Sequence, residues 1–207
     1  MQYFKLSQLI KDGIDINPII DKILLLTVSA KKSYPEYTTW FLNKHVPGIY
    51  LGTRDTIIVV DHNNIVGISN IKNDNEKKIC TLYFRPEYRY KRIGKILVDK
   101  SIEALESRTP LITIPSSSIY EFKNIIRRYN WSLTDCIDDC YLKGESELIF
   151  NGELSKPNTD LTNEERILLT YKHTNNKNIL KLVSFGYIKY FIFIKINNSK
   201  LKKSVFE

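Results

Sequence analysis

The chain has 207 residues, with 31 Lys and Arg against 23 Asp and Glu for a net charge of +8, and 43% of its residues are hydrophobic. This composition excludes a mainly disordered chain and predicts one domain, or one domain with a small appendage. A domain of this length buries roughly 70% of the surface its unfolded chain exposes, enough for a core without disulfide or metal staples. The three cysteines, Cys80, Cys136 and Cys140, are too few and odd in number for a secreted disulfide framework, and they point to a reducing, cytoplasmic setting. Met1 to Gly13 lacks the apolar centre and cleavage site of a signal peptide. The greasiest runs, Ile23 to Val28 and Tyr190 to Ile194, fall far short of the roughly 20 residues of a membrane-spanning helix. The positive excess serves solubility or attracts a phosphate-bearing ligand, and charge alone does not choose between a nucleotide and a nucleic acid.

In chain order, apolar residues at Ile19, Ile20, Ile23, Leu24 and Val28 predict a helix from Ile19 to Ser29, with Asn17-Pro18 as its start signal. A second helix is expected from Pro35 to Lys44, broken by His45, Pro47 and Gly48. The period then changes to two. Thr56 to Val60 and Ile65 to Ile71 flank the polar turn Asp61-His62-Asn63-Asn64 and predict a hairpin. Lys78 to Phe84 reads as a third strand, stopped by Pro86. Ile93, Ile96, Leu97, Ser101, Ala104 and Leu105 line one face of a helix, and Thr109 to Ile114 is a short buried strand. Strand, helix and strand together make a crossover unit with two parallel strands. Ser116 to Ser118 caps a helix over Ile119 to Tyr129, with Phe122, Ile125, Ile126 and Tyr129 on one side, and a strand follows around Tyr141 to Phe150.

The texture shifts after Asn151-Gly152, where a helix over Leu161 to His173 and a hairpin of Leu180 to Phe185 with Ile188 to Ile196 are expected. Residues 151–207 hold ten Lys and Arg against five Asp and Glu, so this stretch carries +5 of the net charge. The expected division is a domain over residues 1–152 and a basic extension over 153–207. The extension's many apolar residues predict a hairpin that docks on its own domain or pairs with a second copy, since a lone two-stranded hairpin is marginal in water. The run Lys200, Lys202, Lys203 reads as a solvated tail.

Chemistry concentrates in Leu82 to Gly94, an apolar strand ending in a basic loop that opens an amphipathic helix. Unpaired N–H groups at a helix start attract anions, and Arg85, Arg89, Lys91, Arg92 and Lys95 add charge around that start. A phosphate or pyrophosphate is the natural occupant. Alternatively the loop is simply a basic surface turn, with Gly94 allowing close helix packing.

The segment Arg89-Tyr90-Lys91-Arg92-Ile93-Gly94, after an apolar strand and before Ile-Leu-Val, resembles the acetyl-CoA loop of the GNAT family of acyl-CoA N-acyltransferases. That loop reads Arg or Gln, two residues, Gly, one residue, then Gly or Ala; Arg92 stands at the first glycine, which an arginine can replace provided its φ is not positive. The resemblance covers about Tyr3 to Gly152 and reaches Tyr129-Asn130-Trp131, where the family commonly has a Gly-Phe pair. It implies a mixed α/β fold, a central and mostly antiparallel sheet with helices on both faces, and acetyl-CoA as acyl donor. The N–H groups from Arg89 to Gly94, including Tyr90, Lys91 and Ile93, would hold the pyrophosphate, and the backbone of Phe84 and Arg85 would pair with the pantetheine arm. The family's frequent tyrosine acid falls on Ile126, and its early-helix asparagine falls on Ile119, with Ser118 a nearby hydroxyl substitute. No carboxylate lies between Ile79 and Phe84, the strand from which some members draw a base.

The expected reaction is metal-free attack of a neutral primary amine of a small molecule or protein on the thioester, with an N–H near Phe84 polarising the carbonyl. Tyr129 is the first choice of proton donor to the departing thiolate, with Tyr120 and Ser118 as substitutes, and no base is assigned. Cys136 and Cys140 with Asp135, Asp138 and Asp139 make a poor metal set, lacking paired histidines, and read as an acidic turn. If that turn borders the acceptor cleft, its carboxylates would attract a protonated amine. His45, His62 and His173 read as surface or packing residues, and Trp40 and Trp131 as core. The competing expectation is a nucleic-acid-binding or regulatory module of the same fold. Between the two stands a GNAT enzyme acting on an RNA-linked amine such as aminoacyl-tRNA, although the extension's aromatic residues alternate like a strand's buried face and not in the manner of a stacking platform.

Overall fold

A computed structural model of the chain describes residues 1–88 and 92–154. Arg89, Tyr90, Lys91, His173, the Lys200 to Lys203 run and the elements expected over 161–196 lie outside the described residues. Strands β1 (Gln2–Lys5), β2 (Arg54–Asp61), β3 (Asn64–Asn73), β4 (Lys77–Phe84), β5 (Leu111–Pro115), β6 (Leu133–Asp138) and β7 (Ser146–Phe150) form one sheet in the order β1-β2-β3-β4-β5-β7-β6. Every neighbouring pair is antiparallel except β4 with β5. The helices are α1 (Leu6–Lys11), α2 (Asn17–Leu26), α3 (Tyr37–Trp40), α4 (Val46–Tyr50), α5 (Ile93–Leu105) and α6 (Ile119–Tyr129).

Local chemistry explains most of these elements. The β2–β3 turn places His62 and Asn63 at φ 46° and 62°, the two positive values of a type I′ turn, whose twist matches the strands it joins. The α6 helix ends on Asn130 in the left-handed conformation, which asparagine tolerates better than most side chains. The expected break at His45, Pro47 and Gly48 does not occur. A single wide π-type turn, Phe41–His45, joins α3 to α4, and Pro47 sits in the first turn of α4 where its missing N–H costs nothing. Gly48 is needed there for space, because a Cβ would lie 2.5 Å from Cδ of the buried Arg54. Two further corrections concern strands. The edge strands β1 and β6 went unanticipated, and the strand expected around Tyr141 to Phe150 begins only at Ser146.

The two faces of the sheet are built differently. On one, α5 and α6 bury Ile93, Leu97, Val98, Leu105, Phe122 and Ile125 against Ile57, Ile71, Ile79, Ile112 and Phe150. Gly67 on β3 admits α5 closely, since a Cβ would meet Ile93, Phe84 and Leu97 at 3.0–3.2 Å. Among these apolar side chains Ser69 donates to Ser101, 2.7 Å away, whose own hydroxyl donates to the Leu97 carbonyl. On the other face α1, α2 and α4 cover β2 and β3, and the buried layer is partly polar. There His45, Thr56, Asn70 and Tyr37 form one buried row. Thr56 donates to Asn70 Oδ1 at 2.8 Å, which makes His45 Nε2 the donor to Thr56 Oγ1, also at 2.8 Å, and Asn70 Nδ2 donates to the Tyr37 hydroxyl at 3.1 Å. Burial first, and then the Arg54 charge, hold the His45 pKa well below the usual histidine range. His45 is therefore a neutral packing residue.

Candidate active site

The sheet opens where its only parallel pair parts. Strands β4 and β5 are paired just at Lys78 with Leu111 and Ile79 with Ile112, yet β4 continues to Phe84 and β5 to Pro115. Cys80 is an extra residue on β4, between the pairs Ile71 with Ile79 and Asn70 with Thr81, and such a bulge bends and twists its strand. Beyond it, the Arg85 N–H donates to the Val66 carbonyl at 2.9 Å. The backbone groups of Tyr83 and Thr81 therefore also face β3, and by alternation those of Leu82 and Phe84 turn into the gap beside β5. Of the two residues expected to offer backbone to a pantetheine arm, Phe84 is so placed, whereas the Arg85 N–H is occupied.

The basic loop leaves the end of β4 and delivers the chain to α5. Its first half is tied to the β2–β3 hairpin. Arg85 Nε donates to the Ile65 carbonyl at 3.3 Å, and the Tyr88 hydroxyl donates to Asp61 at 2.9 Å. Its last residue, Arg92, has φ 60° and ψ 10°, so the condition for an unstrained arginine at the glycine position is not met. The backbone keeps the left-handed shape that suits glycine, and arginine bears about 1 kcal/mol of strain in it. Asn130 is the matching case at the second position where the resemblance puts a glycine. Ile93 and Gly94 are buried in the first turn of α5, and a Cβ on Gly94 would stand 3.1 Å from Phe84 and 3.5 Å from Ile125. Gly94 thus lets α5 press on the end of β4.

The expected proton donors are spread along α6. The Tyr129 hydroxyl donates to Asp99 on α5 at 2.6 Å, and its ring stacks on the buried Trp131 with centroids 5.7 Å apart. Lys95 pairs with the same carboxylate. Partial burial resists ionisation of Asp99, but the hydrogen bonds from Lys95 and Tyr129 outweigh it and leave its pKa below the usual carboxylate range. Burial and this carboxylate raise the Tyr129 pKa. Tyr129 thus ties α6 to α5. Ser118 immediately precedes α6 and makes no side-chain capping bond. Tyr120 is 74% exposed, and Lys123 Nζ lies 3.7 Å from its ring centroid.

On the opposite face, beside the parting strands, lies a group that sequence reasoning missed. Glu147 on β7 sits across from Pro115 on β5 and is only 3% exposed. Tyr34, from the segment between α2 and α3, donates to its Oε1 at 2.8 Å. The Tyr34 ring meets Tyr141 edge-on at 5.3 Å, and Tyr141 belongs to the turn between β6 and β7. That turn is shaped by its own carboxylates, because Asp139 accepts from the Gly144 N–H at 2.5 Å and Asp138 from the Ser146 hydroxyl at 2.6 Å. Burial raises the pKa of Glu147, while Tyr34, Thr113 and Lys78 pull it back in part. The alternation of Ser146 to Phe150 shows that Glu147 is opposite Leu148 and Phe150 in facing. Nothing in it shows that a tyrosine 113 residues away covers that face.

Further along the same face is a cleft of about 410 Å3, with Leu25, Leu26 and Val28 on one side and Tyr83, Arg85 and Pro86 on the other. The Ser29 hydroxyl bridges its walls by donating to the Tyr83 hydroxyl at 3.1 Å. Among the described residues no three His, Cys, Asp or Glu side chains are grouped to hold a metal ion, and no helix is long and apolar enough to cross a membrane.

Comparison with known proteins fits this arrangement. The profile of the Acetyltransferase (GNAT) family matches residues 23–114, from α2 through the gap and the loop to β5. This stretch of the chain matches a GNAT acetyltransferase domain. The domain is that of an acyltransferase, and solved structures share its fold. A GNAT-family protein from Desulfovibrio desulfuricans aligns at 12% identity and TM-score 0.54 over 74% of this chain and 99% of its own. An aminoglycoside 6'-N-acetyltransferase complexed with coenzyme A aligns at 12% identity and TM-score 0.52, covering 76% of this chain and all, 100%, of that one. The PaiA N-acetyltransferase of Thermoplasma acidophilum, also in complex with coenzyme A, gives 15% identity and TM-score 0.51 over 74% and 100% of the two chains. At such identities the likeness is one of fold. No curated protein matches the chain significantly.

Proposed function

We propose that this GNAT protein transfers an acetyl group from acetyl-CoA to a primary amine by direct attack within a ternary complex. The observation that carries the reading is the parting of β4 and β5 next to the start of α5, with the Leu82 and Phe84 backbone turned into the gap. An extended amide-bearing arm can add there as a strand would, and the basic loop stands where its phosphates would end. The coenzyme A complexes of the aminoglycoside and PaiA enzymes support acetyl-CoA as the donor. The N–H groups from Arg89 to Gly94, with the Arg89, Lys91 and Arg92 side chains, would hold the pyrophosphate. Lys95, already paired with Asp99, would add only its long-range charge. Because the Arg85 N–H is bonded to Val66, the carbonyl-polarising donor is an N–H of β4 before it.

When bound, the donor supplies an activated acyl group, and the residues of the chain position it and move protons. Tyr129 is a poor acid, since Asp99 holds its proton. Proton delivery to the departing sulfur therefore falls to hydroxyls at the start of α6, Ser118 and Tyr120. The acceptor approaches from the face covered by α2 and the Tyr34 segment, and the cleft between Val28 and Tyr83 takes its non-reacting body.

Titration calorimetry with acetyl-CoA tests this reading, using the wild type and a variant in which Arg89, Lys91 and Arg92 are all changed to Glu. Each charge-assisted bond to phosphate contributes about 1.5–3 kcal/mol, so the variant is expected to bind at least about 30-fold more weakly. Equal affinity of the two proteins, or no binding by the wild type, would overturn it.

A further inference from the structure

We propose that Glu147 is the general base of this transferase and that Tyr34 is the residue that positions it. The inference rests on the acetyltransferase reading and deepens it by filling the role for which β4 supplies no carboxylate. Buried carboxylates are rare unless paired or put to use. Glu147 is held by neutral hydroxyls, Tyr34 donating to its Oε1 at 2.8 Å and Thr113 also hydrogen-bonding to its carboxylate. It sits on β7 against the last residue of β5, on the face opposite α5 and α6, which is the side an acceptor can reach without crossing the donor's helix. The groups around it come from every neighbouring element: Tyr34 from the segment after α2, Lys78 from β4, Thr113 from β5, and Cys140, Tyr141 and Glu145 from the β6–β7 turn. Lys78 is the one cation among them and is set against the two carboxylates of Glu147 and Glu145. Burial raises its pKa above the usual carboxylate value, the direction in which a carboxylate becomes a stronger base.

The acceptor arrives as an ammonium. Glu147 takes one proton from it, and the nitrogen lone pair then forms the bond to the acyl carbon. The carbon–sulfur bond breaks with its electron pair going to sulfur. A hydroxyl at the start of α6, Ser118 or Tyr120, gives its proton to that sulfur and is refilled by the second nitrogen proton, and Glu147 returns its proton to water. Tyr34, by donating to Oε1, holds the carboxylate in place. The edge-on contact with Tyr141 fixes the Tyr34 ring, so that the acidic β6–β7 turn and the base form one wall.

The test is the pH dependence of kcat/KM from pH 5 to 10, with the fastest acceptor from a panel of primary amines, for the wild type, Glu147→Gln and Tyr34→Phe. General bases contribute roughly 10²- to 10⁴-fold. Glu147→Gln is expected to lose at least about 100-fold at neutral pH with unchanged calorimetric affinity for acetyl-CoA. Its deficit should narrow as pH rises toward 10 and solvent supplies free amine. Tyr34→Phe removes a hydrogen bond that favours the ionised carboxylate, so its acid limb should move to higher pH. A Glu147→Gln enzyme within threefold of wild type, or a deficit constant across the pH range, overturns the assignment. Should Glu147→Gln not fold, an unmoved acid limb in Tyr34→Phe overturns it equally. A wild type that binds no acetyl-CoA refutes the acetyltransferase reading itself, whereas one that binds it and acetylates no amine refutes this base.

Discussion

The two faces of the central sheet are held by different physics. Under α5 and α6 the layer is apolar, with Leu97, Val98 and Leu105 fully buried and one serine pair as its polar contact. Under the N-terminal helices the layer carries His45, Thr56 and Asn70 at 0% exposure and Arg54 and Glu147 close to it. Dispersion and apolar burial need only complementary shape, so the first face should respond to lost volume and ignore pH. The second depends on matched donors and acceptors and on charge states, so it should respond to protons. A transferase has use for both. One face backs the gap between β4 and β5, and the other supplies groups whose protonation can change.

Breaking the apolar face should give the largest effect. Leu97→Ala leaves a cavity between α5 and Gly67 and is expected to cost about 2–5 kcal/mol in urea unfolding, with the same loss at pH 5 and pH 8. A loss below about 1 kcal/mol would mean that α5 repacks and that this layer is not the rigid one.

The polar face should show its character as a pH slope. His45 is held neutral in the folded chain, whereas the unfolded chain binds a proton below about pH 6.5. Its contribution to stability is therefore full above that pH and is lost as pH falls, by about 1.4 kcal/mol per unit until the folded group itself titrates. His45→Gln keeps a donor to Thr56 and should flatten that acid-side slope. Identical slopes in chemical unfolding at pH 5, 6 and 7 would show that His45 does not carry it.

The smallest expected effect sharpens the comparison at the junction of the faces, where the loop enters α5. Arg92→Gly relieves a left-handed residue and should raise stability by about 1 kcal/mol, read as a higher denaturant midpoint with an unchanged slope. A lower midpoint would mean that the arginine side chain contributes more than its backbone costs.

Much of this was legible in the chain itself. Helix α6 has the bounds expected from its apolar stripe, and α5, β5 and the β2–β3 hairpin follow from period and turn chemistry, because each is decided by residues a few positions apart. The loop after Phe84 was recognisable for the same reason, as the residues that carry its resemblance lie in one continuous stretch. Glu147 was not. Alternation places it opposite Leu148, but whether that face meets water or protein depends on Tyr34 and Tyr141, which only the folded chain brings over it. Tyr129 shows the converse, since its place on the helix was correctly read while its engagement by Asp99 depended on how α5 and α6 cross. The continuity of α3 into α4 past Pro47 was likewise a tertiary outcome, since packing of Phe41, His45 and Val46 under the sheet outweighs the local signal to stop. The amino-acid sequence by itself thus determined the order of elements, the apolar face and the basic loop, all of which rest on short-range periodicity and charge. The tertiary structure decided which polar side chains lose contact with water, because desolvation depends on everything that packs around a group and not on its neighbours in the chain.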